Sequence, residues 1–195
     1  MSPEPKYHTQ TVQILPLPLR NLRRRTNFRI IMKTSKTEAQ SLIESLDLKP
    51  LPLEGGYFRE TYRSDRKIDG SKDVSTCIYF LLTGETFSAF HRLPSDEIWH
   101  FYCGDPVDLY TIDEGGQLTV QKLSSQVGFG IAPQVVVKSG RWQAANLAEG
   151  GRFALFGCTV APAFDFEDYE HGRREQLLER FPQHRDVIMK LTRGE

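Results

Sequence analysis

Two histidines and a glutamate lie close together in the aromatic-rich stretch GETFSAFHRLPSDEIWHFYCG, residues 84–104. They are His91, Glu97 and His100. An imidazole beside a carboxylate can act as a general base with the group that orients it, and the same pair can ligate a metal ion. A buried carboxylate needs a partner, because removing a charge from water is costly. We therefore take these three side chains as the candidate catalytic residues.

The segments on either side of a short polar turn in this stretch have the character of strands. They cover residues 86–93 and 97–103, and together they predict an antiparallel hairpin. Because side chains alternate between the two faces of a strand, His91 and Glu97 are expected to face each other across the hairpin. His100 then points to the opposite face, unless a bulge shifts the register.

Four further side chains are candidates for contacts with a ligand. Trp99 shares a strand face with Glu97 and could stack on the face of a sugar ring. Arg141 and Gln143 share a face of another predicted strand, where the glutamine could orient a ligand rich in hydroxyl groups. Arg59 could supply a cation for a phosphate or carboxylate, and the alternative for Arg59 is a position on a solvated strand face.

The elements that must position these residues are mostly short strands. They are spaced about ten residues apart, which is typical of an all-β sandwich or barrel. The Gly84-Glu85 pair predicts a second tight hairpin between two of them. The predicted strands cover residues 57–63, 75–83, 86–93, 97–103, 107–112, 118–123, 134–138, 141–147 and 152–160.

Helices are predicted at both ends of this strand-rich region. Ser35 and Glu38 fit a capping box, and apolar residues at helical spacing continue the helix to about Leu46. In the tail, residues 175–181 are expected to form one short helix. Pro182 is expected to begin a second one, since a proline fits the first helical position without losing a hydrogen bond.

The formal net charge of zero conceals an uneven distribution. Residues 1–33 carry seven basic residues and one acidic residue, so the rest of the chain has a net charge of −6. This argues against a basic nucleic-acid-binding domain. The sequence has no run of 18 apolar residues, so no membrane span is expected. Three cysteines without a C-x-x-C pair indicate reduced thiols and a cytoplasmic location.

The proline- and arginine-rich residues 1–33 are expected to be an extension, separate from a single domain over residues 34–195. Three interpretations of this extension stay open. It could be a disordered arm, or an organellar transit peptide, since that class of peptide is rich in arginine and poor in acids. It could also be a translated upstream region, with Met32 rather than Met1 as the functional start.

Several strings in the chain resemble one subfamily of the cupin superfamily, called DUF985 or cupin-5. They are LEGGYFRETYRS (53–64), SAFHRLPSDEIWHFYCGDPVDLY (88–110), GRWQAA (140–145) and GCTVAPAFDFEDYE (157–170). The resemblance implies an all-β cupin jelly roll, a double-stranded β-helix barrel, with the short N-terminal helix and the C-terminal helices added to it. It also implies a small-molecule ligand and a homodimer.

The resemblance further places any metal ion at His91, Glu97 and Gln143. Cupins usually offer three histidines and one carboxylate, but here one histidine position holds Leu93 or Ala89 and another holds Gln143. An amide oxygen is a poorer ligand for transition metals than an imidazole. We therefore expect a weakly bound divalent metal or none.

The function implied by the resemblance is that of an isomerase or epimerase acting on a sugar or sugar phosphate by acid–base chemistry. His91 or a desolvated Glu97 would be the base. Two alternatives stay open, a non-catalytic ligand-binding cupin and a metal-dependent cupin oxygenase.

Overall fold

Strands are the main secondary structure of the chain that the structure describes, which is residues 36–194 of a computed structural model. The predicted extension over residues 1–33 lies outside this range. The helices are α1 (Glu38–Ser45), α2 (Arg174–Arg180) and α3 (Arg185–Leu191), with single 3-10 turns at Phe166–Asp168 and Pro182–His184. The strands are β1 (Lys49–Pro50), β2 (Tyr57–Arg63), β3 (Lys67–Ile68), β4 (Lys72–Asp73), β5 (Thr76–Thr83), β6 (Ser88–Arg92), β7 (Asp96–Gly104), β8 (Val107–Ile112), β9 (Leu118–Leu123), β10 (Ile131–Ala132), β11 (Gln134–Val137), β12 (Trp142–Leu147), β13 (Phe153–Ala161) and β14 (Glu170–His171).

Two six-stranded sheets carry the fold. The first sheet has the strand order β1-β2-β5-β13-β7-β11, and the second has the order β10-β9-β8-β12-β6-β14. The short strands β3 and β4 form a separate ribbon. From β5 to β8, and again from β10 to β14, consecutive strands alternate between the two sheets, which is the connectivity of a jelly roll. The predicted all-β jelly-roll fold is confirmed.

The predicted hairpins around the candidate site are wrong. β6 pairs with β12 and β14 in the second sheet, whereas β7 pairs with β13 and β11 in the first. The turn between them carries the chain from one sheet to the other. There the carbonyl of Leu93 accepts from the Gly140 N–H at 2.8 Å. β5 and β6 likewise lie in different sheets, so the glycine turn at Gly84 is also a crossing between sheets.

The capping box of α1 lies two residues later than predicted. The Thr37 hydroxyl accepts from the Gln40 N–H at 3.2 Å, and the Gln40 side chain accepts from the Thr37 N–H at 2.9 Å. Thr37 and Gln40 satisfy the same sequence pattern as Ser35 and Glu38, so the pattern alone could not determine which residue caps the helix. The predicted tail helices are confirmed, with a 3-10 turn at Pro182 before α3.

The main core lies between the two sheets. Trp99 contacts Phe80 and Phe156 edge-on, with ring centroids 5.7 and 5.6 Å apart. A second apolar cluster joins the second sheet to α2 and α3 and includes Phe90 and Leu177. The second sheet is therefore covered on both faces, by the first sheet on one side and by the tail helices on the other. No helix within residues 36–194 is both long enough and apolar enough to cross a membrane.

Candidate active site

A cavity of about 320 Å³ opens between the sheets. Most of its wall is aliphatic or aromatic, so a bound molecule would be largely removed from water. Six acidic or basic side chains interrupt this wall, and they are described below together with Tyr169. The apolar wall includes Leu51, Phe58, Ile78, Phe80, Leu93 and Val160.

His91 enters the cavity from the second sheet. Its side chain is 3% exposed, and its ring stacks on Tyr169 with centroids 5.2 Å apart. The Nδ1 atom lies 2.8 Å from the carbonyl of Ala89. Because a carbonyl only accepts, this contact places the proton on Nδ1 and leaves a lone pair on Nε2. Burial lowers the pKa of His91, so the ring is neutral near pH 7.

Glu97 enters from the first sheet and is held by Gln143. The indole N–H of Trp99 donates to Gln143 Oε1 at 3.1 Å, and Gln143 Nε2 donates to Glu97 Oε2 at 2.6 Å. An indole nitrogen only donates, which fixes the orientation of the amide. Burial is the main cause that raises the pKa of Glu97, while His91 opposes it.

Glu54 is a third titratable group of the cavity, and the sequence analysis missed it. Its Oε1 accepts from the Ser88 hydroxyl at 2.7 Å, and its Oε2 lies 3.9 Å from His91 Nε2. Burial raises the pKa of Glu54 to about 7, although the Ser88 hydrogen bond opposes this shift. One feature of the sequence could have indicated Glu54. It directly precedes the Gly55-Gly56 pair, and a glycine turn lets the backbone approach a site closely.

The remaining charged groups of the cavity surround Arg63, which the sequence analysis also missed. Its guanidinium donates to Glu60 at 2.9 Å and to the carbonyl of Phe164 at 2.9 Å, and it lies 3.3 Å from Asp165. Asp73 lies 3.2 Å from the same guanidinium nitrogen as Asp165. Because the positive charge of Arg63 is shared among three carboxylates, the cavity offers little attraction to an anion.

The structure brings together three of the side chains predicted to form the site. Gln143 is the direct strand neighbour of His91 in the second sheet, and its side chain reaches Glu97 in the first sheet. His91 and Glu97 therefore do face each other, but across the two sheets rather than across a hairpin. Trp99 supports this group from within the core, where it is 1% exposed.

The cavity wall includes neither Gln143 nor Trp99, so the predicted stacking of Trp99 on a sugar ring is not possible there. The other three predicted site residues also lie outside the cavity. His100 is on the opposite face of β7, where its ring contacts Thr159 and Gln134 at 3.1 Å each. Arg59 follows the cavity residue Phe58 on β2 and therefore points to the outer face. Arg141 precedes β12 and is not part of the cavity wall.

The residues present do not fit the metal ion that the resemblance implies. The oxygen of the Gln143 amide accepts from Trp99, and its nitrogen, which cannot bind a cation, points to Glu97. Only His91 and Glu97 of the expected ligand set are then available. Within residues 36–194, His, Cys, Asp and Glu side chains form no group of three or more arranged to hold a metal ion.

Comparison with solved structures identifies the same fold in several proteins. A structure from Shewanella oneidensis is 38% identical, with a TM-score of 0.77, and the match covers 82% of this chain and 100% of that one. A hypothetical protein from Leishmania major is 34% identical, with a TM-score of 0.74, covering 80% and 99%. Oxalate decarboxylase from Bacillus subtilis, 16% identical with a TM-score of 0.50 over 77% of this chain and 38% of that one, shows the fold alone.

Sequence comparison gives the family. An uncharacterised protein of Saccharomyces cerevisiae is 30% identical over 143 residues, which cover 64% of this chain and 71% of the yeast protein. The family model described as Cupin superfamily (DUF985) matches residues 40–172, about two thirds of the chain. This chain therefore belongs to the DUF985 family of the cupin superfamily.

Proposed function

We propose that the cavity binds a small organic molecule and moves a proton on it, as an isomerase or epimerase does on an unphosphorylated sugar or a similar carbonyl compound. The observation that carries the proposal is the position of Glu54, Glu97 and His91, three titratable side chains on the wall of one largely apolar cavity. Keeping such groups away from water costs stability, and their perturbed pKa values are typical of functional sites.

Glu54 is the proposed base. A base works best when its pKa is near the working pH, and burial raises the pKa of Glu54 to about 7. It would take a proton from the carbon next to a carbonyl and return it to the neighbouring atom or to the opposite face. Neutral His91, 3.9 Å from Glu54, and Glu97, oriented by Gln143, would accept hydrogen bonds from the hydroxyl groups of the substrate.

A sugar phosphate is less well supported than an unphosphorylated sugar. Arg63 is the only lysine or arginine among the described residues that line the cavity, and its charge is already shared with Glu60 and Asp165. Two further carboxyl groups, Glu54 and Glu97, would repel a phosphate. We therefore favour a substrate without an acidic group.

Deuterium incorporation tests the proposal. Purified protein is incubated in D2O with a panel of aldoses, ketoses and amino sugars, and proton NMR follows loss of the signal at the carbon next to the carbonyl. We expect exchange with at least one sugar, and about a hundredfold slower exchange with Glu54→Gln. The exposed Glu179→Gln variant on α2 is the control and should behave like the unmodified protein. No exchange with any sugar would contradict the proposal.

A non-catalytic ligand-binding role is the second candidate, favoured by the mainly aliphatic and aromatic wall of the cavity. It predicts a ligand that raises the melting temperature without any proton exchange.

We also propose the homodimer that the resemblance implies. Its support is a set of half-exposed apolar side chains on the first sheet, including Tyr62, Tyr102 and Val136. Light scattering of the purified protein measures the mass directly.

A further inference from the structure

The cavity wall offers a hydrogen-bond acceptor that has no donor. His91 Nε2 carries a lone pair, because the proton is on Nδ1. Among the described residues no protein group donates a hydrogen bond to it, and Glu54 Oε2, at 3.9 Å, is too far for one. The side chain is 3% exposed and lies on the cavity wall. An acceptor on a cavity wall that no protein group satisfies is available to a ligand that donates.

The carboxyl groups of Glu54 and Glu97 on the cavity wall also lack a cation. Glu54 accepts from the Ser88 hydroxyl, and Glu97 accepts from the Gln143 amide. Both donors are neutral, and within residues 36–194 no lysine or arginine forms an ion pair with either carboxyl group. Each carboxylate can accept several hydrogen bonds, so both keep free capacity.

The aromatic part of the wall is compatible with a cation as well. Five aromatic rings line the cavity, and the faces of such rings attract organic cations. Among the described residues of the wall, Arg63 is the only lysine or arginine, and it is already bound to carboxylates. The lining aromatic residues are Phe58, Phe80, Phe164, Phe166 and Tyr169.

We infer that the ligand of this cavity is a small amine, whose protonated nitrogen donates to Glu54, Glu97 and His91 while its apolar body packs on the aromatic wall. An ammonium group has three donors and no acceptor, so it matches a wall made of acceptors. This inference rests on the proposed function in that it takes the same cavity as the ligand site. It requires no turnover, and it narrows the substrate class to amines, such as an amino sugar.

Three probes of nearly the same shape separate the charge from the rest of the ligand. Benzylamine is a cation, benzyl alcohol is neutral and benzoate is an anion. Isothermal titration calorimetry of the full-length protein at pH 6 and pH 8 measures the affinity for each. At pH 8 we expect benzylamine to bind at least tenfold more tightly than benzyl alcohol, and benzoate more weakly still. Glu54→Gln and Glu97→Gln should each weaken benzylamine at least tenfold, while Glu179→Gln should not.

The affinity for benzylamine should change with pH in one direction. The titratable groups that face Glu54 are His91, Glu97, Cys158 and Tyr169. Arg193 donates to the backbone carbonyl of Glu54 rather than to its carboxylate. Benzylamine stays protonated from pH 6 to pH 8, whereas Glu54 ionises within this range. Benzylamine should therefore bind several-fold more tightly at pH 8. The increase should be clearly smaller in Glu54→Gln, where Glu97, whose pKa is also raised, is the remaining carboxyl group of the pair.

The outcomes distinguish this inference from the proposed function. Three results would overturn the inference. Benzylamine could fail to bind, benzyl alcohol or benzoate could bind with equal affinity, or both folded variants could keep the full affinity for benzylamine. Circular dichroism shows whether each variant is folded. Amine binding without deuterium exchange on any substrate would overturn proton transfer only. Exchange on uncharged sugars, without benzylamine binding, would overturn the amine only.

Discussion

At the residue scale, the unusual group is Glu54. It is a carboxyl group on an apolar wall, with a serine hydroxyl as its hydrogen-bond donor and a neutral imidazole 3.9 Å away. Burial without a cation favours the protonated form, which is why its pKa rises to about 7. The folded protein therefore holds a proton near neutral pH that the unfolded chain has already lost. This difference makes the stability of the protein depend on pH.

The free energy of unfolding should fall as the pH rises from about 5 to 8. The pKa of Glu54 is 4.5 in its ordinary state and about 7 in the fold, so its contribution is complete below the lower value and lost above the higher one. The loss is of order 3 kcal/mol. Urea denaturation at several pH values measures it. Glu97 has a raised pKa as well and adds a fall of the same sign.

The Glu54→Gln variant isolates the contribution of Glu54 to the pH dependence of stability. Glu54→Gln keeps an oxygen for the Ser88 hydroxyl but cannot ionise, so it should show a shallower fall between pH 5 and pH 8. His91 has a lowered pKa and acts in the opposite direction below about pH 6.5, which is why the two proteins are compared at each pH. Glu179→Gln should reproduce the slope of the unmodified protein. A Glu54→Gln slope equal to that of the unmodified protein would refute the assignment.

At the scale of elements, a glycine turn before β2 brings Glu54 to the cavity. Gly56 has a φ of 71°, a conformation that residues with a side chain rarely adopt. A Cβ atom there would lie 2.8 Å from the Phe80 ring and 2.9 Å from the carbonyl of Leu81. The turn therefore packs directly on β5, and a larger residue would push it, together with Glu54, away from the site.

The Gly56→Ala variant should lose about 2 kcal/mol more stability than Gly70→Ala. Gly70 has a nearly equal φ of 73°, but a Cβ atom there meets nothing within 4 Å. Gly70→Ala therefore carries only the conformational cost, about 1 kcal/mol, and the difference between the variants measures the close approach to β5. Urea denaturation gives both values. Equal losses would mean that the turn does not pack on β5 as described.

The strands could be predicted from the sequence because alternation of side chains is a local signal. β2, β8 and β9 have the predicted bounds. Their pairing could not be predicted, since a turn that closes a hairpin and a turn that crosses between sheets look alike in sequence. His91 and Glu97 face each other in either case. Glu54 was missed because it lies far from both in sequence and only the fold brings it near.

At the scale of the whole molecule, the tail helices α2 and α3 are part of a hydrophobic core. One face of the second sheet carries Phe90, Ile112 and Trp142, and α2 and α3 cover them with Leu177 and Ile188. The same sheet presents His91 to the cavity on β6, directly after Phe90. Packing of the tail on Phe90 therefore supports the strand that positions His91, so that stability and site geometry are linked.

Leu177→Ala tests this link. Leu177 is 1% exposed, and its truncation would leave a void beneath β6, so the expected loss is about 3 kcal/mol. Met189 on α3 is 41% exposed, and Met189→Ala should change stability by less than about 0.5 kcal/mol. Urea denaturation of both variants should give single transitions that coincide by tryptophan fluorescence and by circular dichroism, because Trp142 in the second sheet and the tail helices belong to one cluster. An early loss of helix, with the fluorescence transition unchanged, would show instead that the tail docks on a sheet that is stable without it.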